Sequence, residues 1–139
     1  MEFAEMTVDE YEQEAIRDLT VDVTRLEDYA KGLGLSRAKW ARYLFNEETI
    51  LSEAEEKLAE LYRERWHYYV YEYAEAKIEK KHIDTYIHGD KTFKEAEKMV
   101  KKQKSKVKMV EQMIAALDKQ SFVVNTILKH MMWESGAAV

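Results

Sequence analysis

The sequence predicts an all-α protein, a helical bundle with one long central helix. The 139 residues include no proline and only four glycines, so long uninterrupted helices are allowed. Apolar residues recur at helical spacing over long stretches, and none of useful length alternates with polar residues as in a strand. Three segments have the sequence of a capping box, which marks the start of a helix: Thr7–Glu10, Ser52–Glu55 and Thr92–Glu95.

Apolar stretches and breaking signals together predict six helices. Breaks are expected at Gly32 and Gly34, at 46–48, at the turn 86–91 and between Leu117 and Ser121. The predicted helices are 7–18, 22–31, one beginning at 36, 49–83, 92–117 and 121–134. We expect residues 1–120 to form a helical bundle that carries a binding surface, and residues 121–139 to form a self-association helix and tail.

Composition limits the class of protein. The length suits one domain. Without cysteine there is no disulfide framework, thiolate zinc site or cysteine nucleophile. We see no signal peptide and no apolar run near the ~20 residues that span a bilayer. We therefore expect a soluble intracellular protein that does not associate with a membrane.

Charge is divided unevenly along the chain. The net charge is −5, but residues 1–60 carry 16 acids and 7 bases, and residues 61–139 carry 11 acids and 15 bases. This division indicates an anionic partner for the basic part and a basic protein or neighbouring subunit for the acidic part. The alternative is charge scattered over a solvated surface.

Aromatic and cationic residues concentrate in two adjacent regions. Residues 62–73 hold six aromatic residues and two arginines, and a belt of lysines follows at 91–108. Aromatic faces stack on unpaired bases and cations follow phosphates, so the combination favours sequence-tolerant single-strand binding. The alternative is a core stripe beside a solvated charged face. The candidate DNA-binding residues are Arg63, Arg65, His67, Tyr68, Tyr71, Lys94, Lys98, Lys101 and Lys102.

Helical spacing separates these aromatic residues into two groups. Four of the six, Tyr62, Trp66, Tyr69 and Tyr73, share one helix face with Leu51 and Leu58, which predicts that they form a core stripe. Tyr68 and Tyr71 lie off that stripe. They either stack on a ligand or pack against a neighbouring helix or subunit, and the sequence leaves both open.

Metal-ligand spacing occurs twice, as Glu64-x-x-His67 and Glu79-x-x-His82. Di-iron bundles place such motifs on facing helices. Here both fall on one predicted helix, about 22 Å apart at helical rise, too far for one centre. No nucleophile is paired with a base and an orienting group. We expect no metal, no cofactor and no catalytic activity.

The last predicted helix has apolar groups on two sides. One face is aliphatic, and Phe122 and Trp133 project from the other side among polar residues. A helix with two apolar sides is central in its bundle or contacts a second chain, and a C-terminal helix is rarely central. The candidate oligomerisation residues are Phe122, Val124, Ile127, Leu128, Met131, Met132 and Trp133.

Five sequence features occur in a distinctive order along the chain: Thr24-Arg25-Leu26, Lys39-Trp40, Tyr62-Arg63-Glu64-Arg65-Trp66-His67-Tyr68-Tyr69, Phe122 with Ile127, and Trp133-Glu134-Ser135-Gly136. In the order and spacing of these features, over about residues 22–136, the chain resembles the UvsY family of recombination mediators of T-even-type bacteriophages. The segment 62–69 is similar to the family's DNA-binding motif.

The resemblance implies a non-enzymatic protein that binds single-stranded DNA as a ring-like homo-oligomer of six or seven subunits. It implies help in loading a RecA-like recombinase onto DNA coated with single-strand-binding protein, in the cytoplasm of an infected bacterial host. Arg63 and Arg65 match the family's basic DNA-contacting positions. The family's glycine-containing basic loop is missing, because 70–75 is predicted helical and acidic. The alternative function is a non-catalytic helical adaptor that binds only proteins.

Overall fold

The computed structural model describes residues 5–73 and 78–136. The described residues form four α-helices, a 3₁₀ turn and a π-helical turn, and they contain no strand, which confirms the all-α class. The elements are α1 (Val8–Leu19), the 3₁₀ turn (Val23–Arg25), α2 (Leu26–His67), the π-helical turn (Tyr68–Glu72), α3 (Lys80–Gly89) and α4 (Lys91–Glu134). In this described part no helix is long and apolar enough to cross a membrane.

Helix α1 begins where its capping box predicts. Thr7 is the N-cap residue, and its hydroxyl oxygen accepts a hydrogen bond from the backbone N–H of Glu10 at 3.2 Å. This satisfies one of the free N–H groups of the first turn. The predicted capping boxes at Ser52 and Thr92 are wrong, since both residues lie inside helices.

The predicted breaks at Gly32 and Gly34 are wrong, because α2 continues through both. An isolated glycine costs a helix only about 1 kcal/mol relative to alanine. The neighbouring side chains of Leu33 and Trp40 are fully buried in one core, and this packing outweighs the propensity of two glycines.

The break predicted at 46–48 is also wrong. Glu47 is only 1 % exposed, and side chains of α4 satisfy its polar atoms. Gln103 Nε2 donates to the Glu47 backbone oxygen at 2.9 Å and to its carboxylate at 2.6 Å, and Lys106 Nζ lies 3.2 Å from the other carboxylate oxygen. Glu47, which the sequence places in a loop, therefore makes a buried polar contact between two helices.

Two further boundaries differ from the prediction. Helix α4 passes through residues 118–121 without interruption, because Leu117 and Val124 are both buried on the same face. The turn predicted at 86–91 shrinks to Asp90, which separates α3 from α4.

The helix predicted to reach residue 83 ends much earlier. Helix α2 gives way to the π-helical turn, and the N–H of Tyr73 donates to the oxygen of Tyr68 at 2.9 Å before the backbone becomes extended. The rings of Tyr69 and Tyr73 pack against Tyr86 of α3, a contact that a continuous helix would prevent.

The chain divides into two compact units. Residues 1–46 and 108–139 form one, called here the terminal unit, and residues 47–107 form the central unit. The predicted functional division at residue 120 stays a prediction, and that residue lies inside α4.

The core of the terminal unit is built on an aromatic trio. The rings of Tyr11, Trp40 and Tyr43 meet at centroid distances of 5.3–5.7 Å. Trp40 Nε1 donates to the carboxylate of Asp18 at 2.7 Å, so the buried indole N–H is satisfied. Aliphatic residues complete this core: Ala15, Leu33, Val110, Ile114, Leu117 and Val124.

In the central unit, Ile83, Ile87 and Phe93 are buried, and α3 is thereby fixed to the start of α4. Half-buried residues of α2 and the π-helical turn pack against them: Leu58, Leu61, Tyr62, Tyr69 and Val70. Further along α4, Val100 and Val107 are buried on the same face.

Candidate nucleic-acid-binding surface

The first turns of α4 carry an exposed row of lysines. Phe93, Val100 and Val107 bury the opposite side of the helix. The side-chain ammonium groups of the four candidate lysines form no hydrogen bond or ion pair with any residue that the structure describes, and all four side chains are exposed: Lys94, Lys98, Lys101 and Lys102. We call these four residues the lysine row. Unpaired cations on one helix face can follow a phosphate backbone.

Not every lysine of the sequence belt belongs to this surface. Lys106 is nearly buried, and its Nζ lies 3.2 Å from a carboxylate oxygen of Glu47 in α2. Lys106 therefore neutralises a buried carboxylate of the central unit and is not available to a ligand at the surface. The belt therefore contains both a structural lysine and surface lysines, which the run of letters does not distinguish.

Asp90 connects α2 to the beginning of α4. It precedes the first residue of α4, and its carboxylate accepts from the Phe93 N–H at 3.1 Å and from the Tyr69 hydroxyl at 2.8 Å. Arg65 Nη1 lies 3.5 Å from the same carboxylate. Burial opposes the charge of Asp90, but these three donors hold its pKa below the ordinary value of 3.8. The sequence places Asp90 only in a predicted turn, although an Asp immediately before a helix is a common N-cap residue.

Arg65 is held rather than free. Its guanidinium lies 4.7 Å from the ring centroid of Tyr68 and pairs with Asp90, so its side chain is only partly exposed. Its buried Nε has no hydrogen-bond partner among the described residues. Arg63, two residues earlier, is exposed and unpaired within the described residues, so the two arginines are not equivalent.

Two tyrosines of the aromatic segment, Tyr62 and Tyr69, donate hydrogen bonds to carboxylates. The Tyr62 hydroxyl donates to Asp84 at 2.6 Å, and this hydrogen bond, with burial, raises its pKa. Burial and the hydrogen bond to Asp90 raise the pKa of Tyr69 to about 12. Both tyrosines pack against the central core, as predicted. The prediction is wrong for Trp66, whose side chain is exposed.

Tyr68 and Tyr71, the two aromatic residues outside the core stripe, differ in whether they are exposed for stacking on a ligand or packed against neighbouring side chains. Tyr71 is 75 % exposed, and its ring lies 4.9 Å from that of the exposed His67. Tyr68 is half-buried and contacts Tyr69 and Tyr73. Tyr71 is thus available for stacking, and Tyr68 presents only part of its ring.

The structure brings some of the candidates together. Arg65, through Asp90, lies beside the N-terminus of α4, where the lysine row begins one turn later. His67 and Tyr71 form a second exposed pair. Both groups belong to the central unit. No cluster of three or more metal-ligating side chains occurs among the described residues, where the Glu64 and His67 side chains are both exposed.

The candidate oligomerisation residues lie in the terminal unit and differ in exposure. Val124 is buried in its core and Leu128 is half-buried, so these two hold α4 in place. Five others are exposed: Phe122, Ile127, Met131, Met132 and Trp133.

Comparisons with known proteins place this geometry in a family. A family model described as "Recombination, repair and ssDNA binding protein UvsY" matches residues 14–137. Crystal structures of the bacteriophage T4 recombination mediator protein UvsY share the fold at 17 % sequence identity. Lattice type II gives a TM-score of 0.85 over 94 % of this chain and 99 % of that chain. Lattice type IV gives 0.81 over 93 % and 99 %. No curated protein sequence matches the chain significantly.

Proposed function

Because the chain belongs to the UvsY family of recombination, repair and single-stranded-DNA-binding proteins, we propose that it is a recombination mediator. In this role it binds single-stranded DNA and helps a RecA-like recombinase load onto a strand coated with single-strand-binding protein. It acts without catalysis, as a homo-oligomer of six or seven subunits, in the cytoplasm of an infected bacterial host.

The lysine row is the observation that carries the proposal. A mediator must bind any sequence, and phosphate contacts supply affinity without base readout. Four unpaired lysines on one helix face offer such contacts, with Arg63 as a further exposed cation of the same unit. An aromatic face at Tyr71 adds stacking, which contributes roughly 1–3 kcal/mol per base and tolerates every base.

Self-association explains how a small basic surface suffices. Each subunit contributes a few phosphate contacts, which hold DNA weakly. In an oligomer the same strand meets repeated lysine rows, and each later contact forms at a high effective concentration. Weak individual contacts that exchange quickly suit a protein that must later give the strand to a recombinase.

Binding of labelled oligo-dT, followed by fluorescence polarisation across a salt series, tests the proposal. The triple variant Lys94→Ala/Lys98→Ala/Lys101→Ala should bind about a hundredfold more weakly at 0.1 M salt, with a slope of log K against log salt smaller by about 2. The matched control is Lys57→Ala, because Lys57 is an exposed helical lysine of the same unit that lies beside Glu53 and Glu60. Equal isotherms for the triple variant and the parent would contradict the proposal.

The loading step needs its own assay. Adding the protein should shorten the lag of a RecA-like recombinase on a strand already coated with single-strand-binding protein, and should have little effect on a bare strand. The lysine-row variant should lose this effect. A parent protein that binds oligo-dT but leaves the lag unchanged would limit the function to single-strand binding.

One observation favours the second candidate, an adaptor that binds only proteins. A groove of about 500 Å³ lies between α2 and α4 of the central unit. Apolar residues form most of its lining, and its charged residues are three glutamates and one lysine: Glu53, Glu60, Glu64 and Lys57. Such a groove suits an apolar side chain on a basic segment. An oligo-dT titration without binding at low salt would favour the adaptor over the mediator.

A further inference from the structure

The terminal unit has an apolar groove between α1 and α4. Its volume is about 450 Å³, and its walls include Ile16 and Leu19 of α1 and Met109 and Met113 of α4. Glu12 is the charged residue of the lining. Ile16 is 62 % exposed, so apolar surface faces solvent here. Methionines line the α4 wall, and their flexible side chains adapt to an inserted group.

The same unit exposes two large aromatic side chains further along α4. Phe122 is 74 % and Trp133 is 76 % exposed. They are 11 residues apart, so at 3.6 residues per turn they differ by only about 20° around the helix. Together they form a second apolar surface, called here the aromatic face.

The groove and the aromatic face lie on opposite sides of α4. Phe122 follows Met113 by nine residues, which is a rotation of about 180°. One subunit therefore cannot use its aromatic face to fill its own groove across the helix. A two-fold contact between two subunits cannot satisfy both surfaces either, because the surfaces point in opposite directions: a copy whose groove covers the aromatic face of its neighbour turns its own aromatic face away from that neighbour. Contacts of this kind are head-to-tail, and they propagate into a ring or a filament.

Charges beside the two surfaces are complementary. Lys129 lies between Phe122 and Trp133 in sequence and is within about 40° of both around the helix. It is exposed and makes no ion pair with a described residue. Glu12 lines the groove, and its side chain is exposed and makes no ion pair with any residue that the structure describes. A lysine that approaches with the aromatic face would meet this carboxylate.

We propose that the groove between α1 and α4 receives the aromatic face of a second copy of this chain, with Lys129 of one copy opposite Glu12 of the other. The inference rests on the proposed self-association and identifies the surface that receives the C-terminal helix. Burial of Phe122 or Trp133 in the neighbour's groove removes the largest exposed apolar side chains of the unit from water.

Cysteine cross-linking tests this contact directly, since the chain has no cysteine of its own. Ile16→Cys protein is mixed with either Phe122→Cys or Trp133→Cys protein, and a short bismaleimide linker is added. Each variant keeps one aromatic anchor. We expect a cross-linked dimer in at least one mixture and none with either variant alone. Leu35→Cys replaces Ile16→Cys in the control mixture, because Leu35 is an aliphatic residue of the same unit that is even more exposed than Ile16 but does not line the groove.

Charge reversal gives an independent measurement. Glu12→Lys should raise the dissociation constant of the oligomer about tenfold in sedimentation, and mixing it with Lys129→Glu protein should restore much of the loss. Both residues are exposed, so neither variant should unfold.

The outcomes separate this inference from the proposed function. An oligomer that forms normally but gives no cross-link in either mixture would overturn the groove assignment and leave self-association intact. A chain that is monomeric at every concentration would overturn both. Cross-linking equal to that of the Leu35→Cys control would also count as failure of the groove.

Discussion

The central and terminal units use similar helices but expose opposite chemistry. In the central unit α4 exposes a row of unpaired lysines, and the hydroxyls of Tyr62 and Tyr69 donate to carboxylates. In the terminal unit the same helix exposes Phe122 and Trp133, and α1 forms an apolar groove. The buried face of α4 is apolar in both units and therefore indicates only the fold. The exposed face differs in chemistry between the units, so it is the face that distinguishes them. Four predictions test that separation.

The largest expected effect comes from comparing a nearly buried lysine of α4, Lys106, with an exposed one, Lys98. Lys106→Ala removes the cation that pairs with the buried Glu47 and should lower the free energy of unfolding by about 3 kcal/mol, since a buried charge is left less compensated. Lys98→Ala, its matched control on the exposed face, should leave unfolding unchanged and weaken oligo-dT binding. Urea titration of both variants provides the comparison. Equal free energies of unfolding for the Lys106→Ala and Lys98→Ala variants would contradict a stabilising role for the pair between Lys106 and Glu47.

A second pair contrasts a buried with an exposed apolar residue in the terminal unit. Val124→Ala creates a small cavity and should cost about 2 kcal/mol of stability. Trp133→Ala should cost almost none in the monomer and should shift sedimentation toward smaller species. If Trp133→Ala instead unfolds the monomer, the aromatic face belongs to the fold rather than to an interface.

The third prediction concerns Asp90, which joins the helices of the central unit. Asp90→Asn removes the charge that caps α4 and pairs with Arg65, and should cost roughly 1–2 kcal/mol at neutral pH.

The pH dependence follows from the lowered pKa of this carboxyl. The folded state holds Asp90 ionised more strongly than the unfolded chain does, so its contribution is present above the ordinary pKa of 3.8 and is lost as the pH falls through the lower folded value. The Asn variant should therefore lose less stability than the parent between neutral pH and pH values below 3.8. Parallel acid-unfolding curves for both proteins would show that Asp90 is not a source of this dependence.

Sequence patterns predicted the helical class, the cap at Thr7 and the exposed lysine row because each depends on local chemistry. They failed where tertiary contacts decide the outcome. The polar sequence around Glu47 predicts a loop. Its burial depends on Gln103 and Lys106, which lie more than 50 residues away along the chain. Arg65 and Arg63 look alike in the motif, and only Asp90 distinguishes them. The groove beside Ile16 joins α1 to α4 and has no signal in either segment alone.

The smallest expected effect is a gain. Gly34 lies inside α2, and a Cβ placed there would meet no atom within 4 Å. Gly34→Ala should therefore raise the free energy of unfolding by roughly 0.5–1 kcal/mol, because alanine loses less backbone entropy in a helix. The residue belongs to the terminal unit, so oligo-dT binding per subunit should not change while thermal unfolding shifts upward. A changed DNA isotherm at equal oligomer mass would mean that the two units do not act separately, and that stability in one sets the affinity of the other.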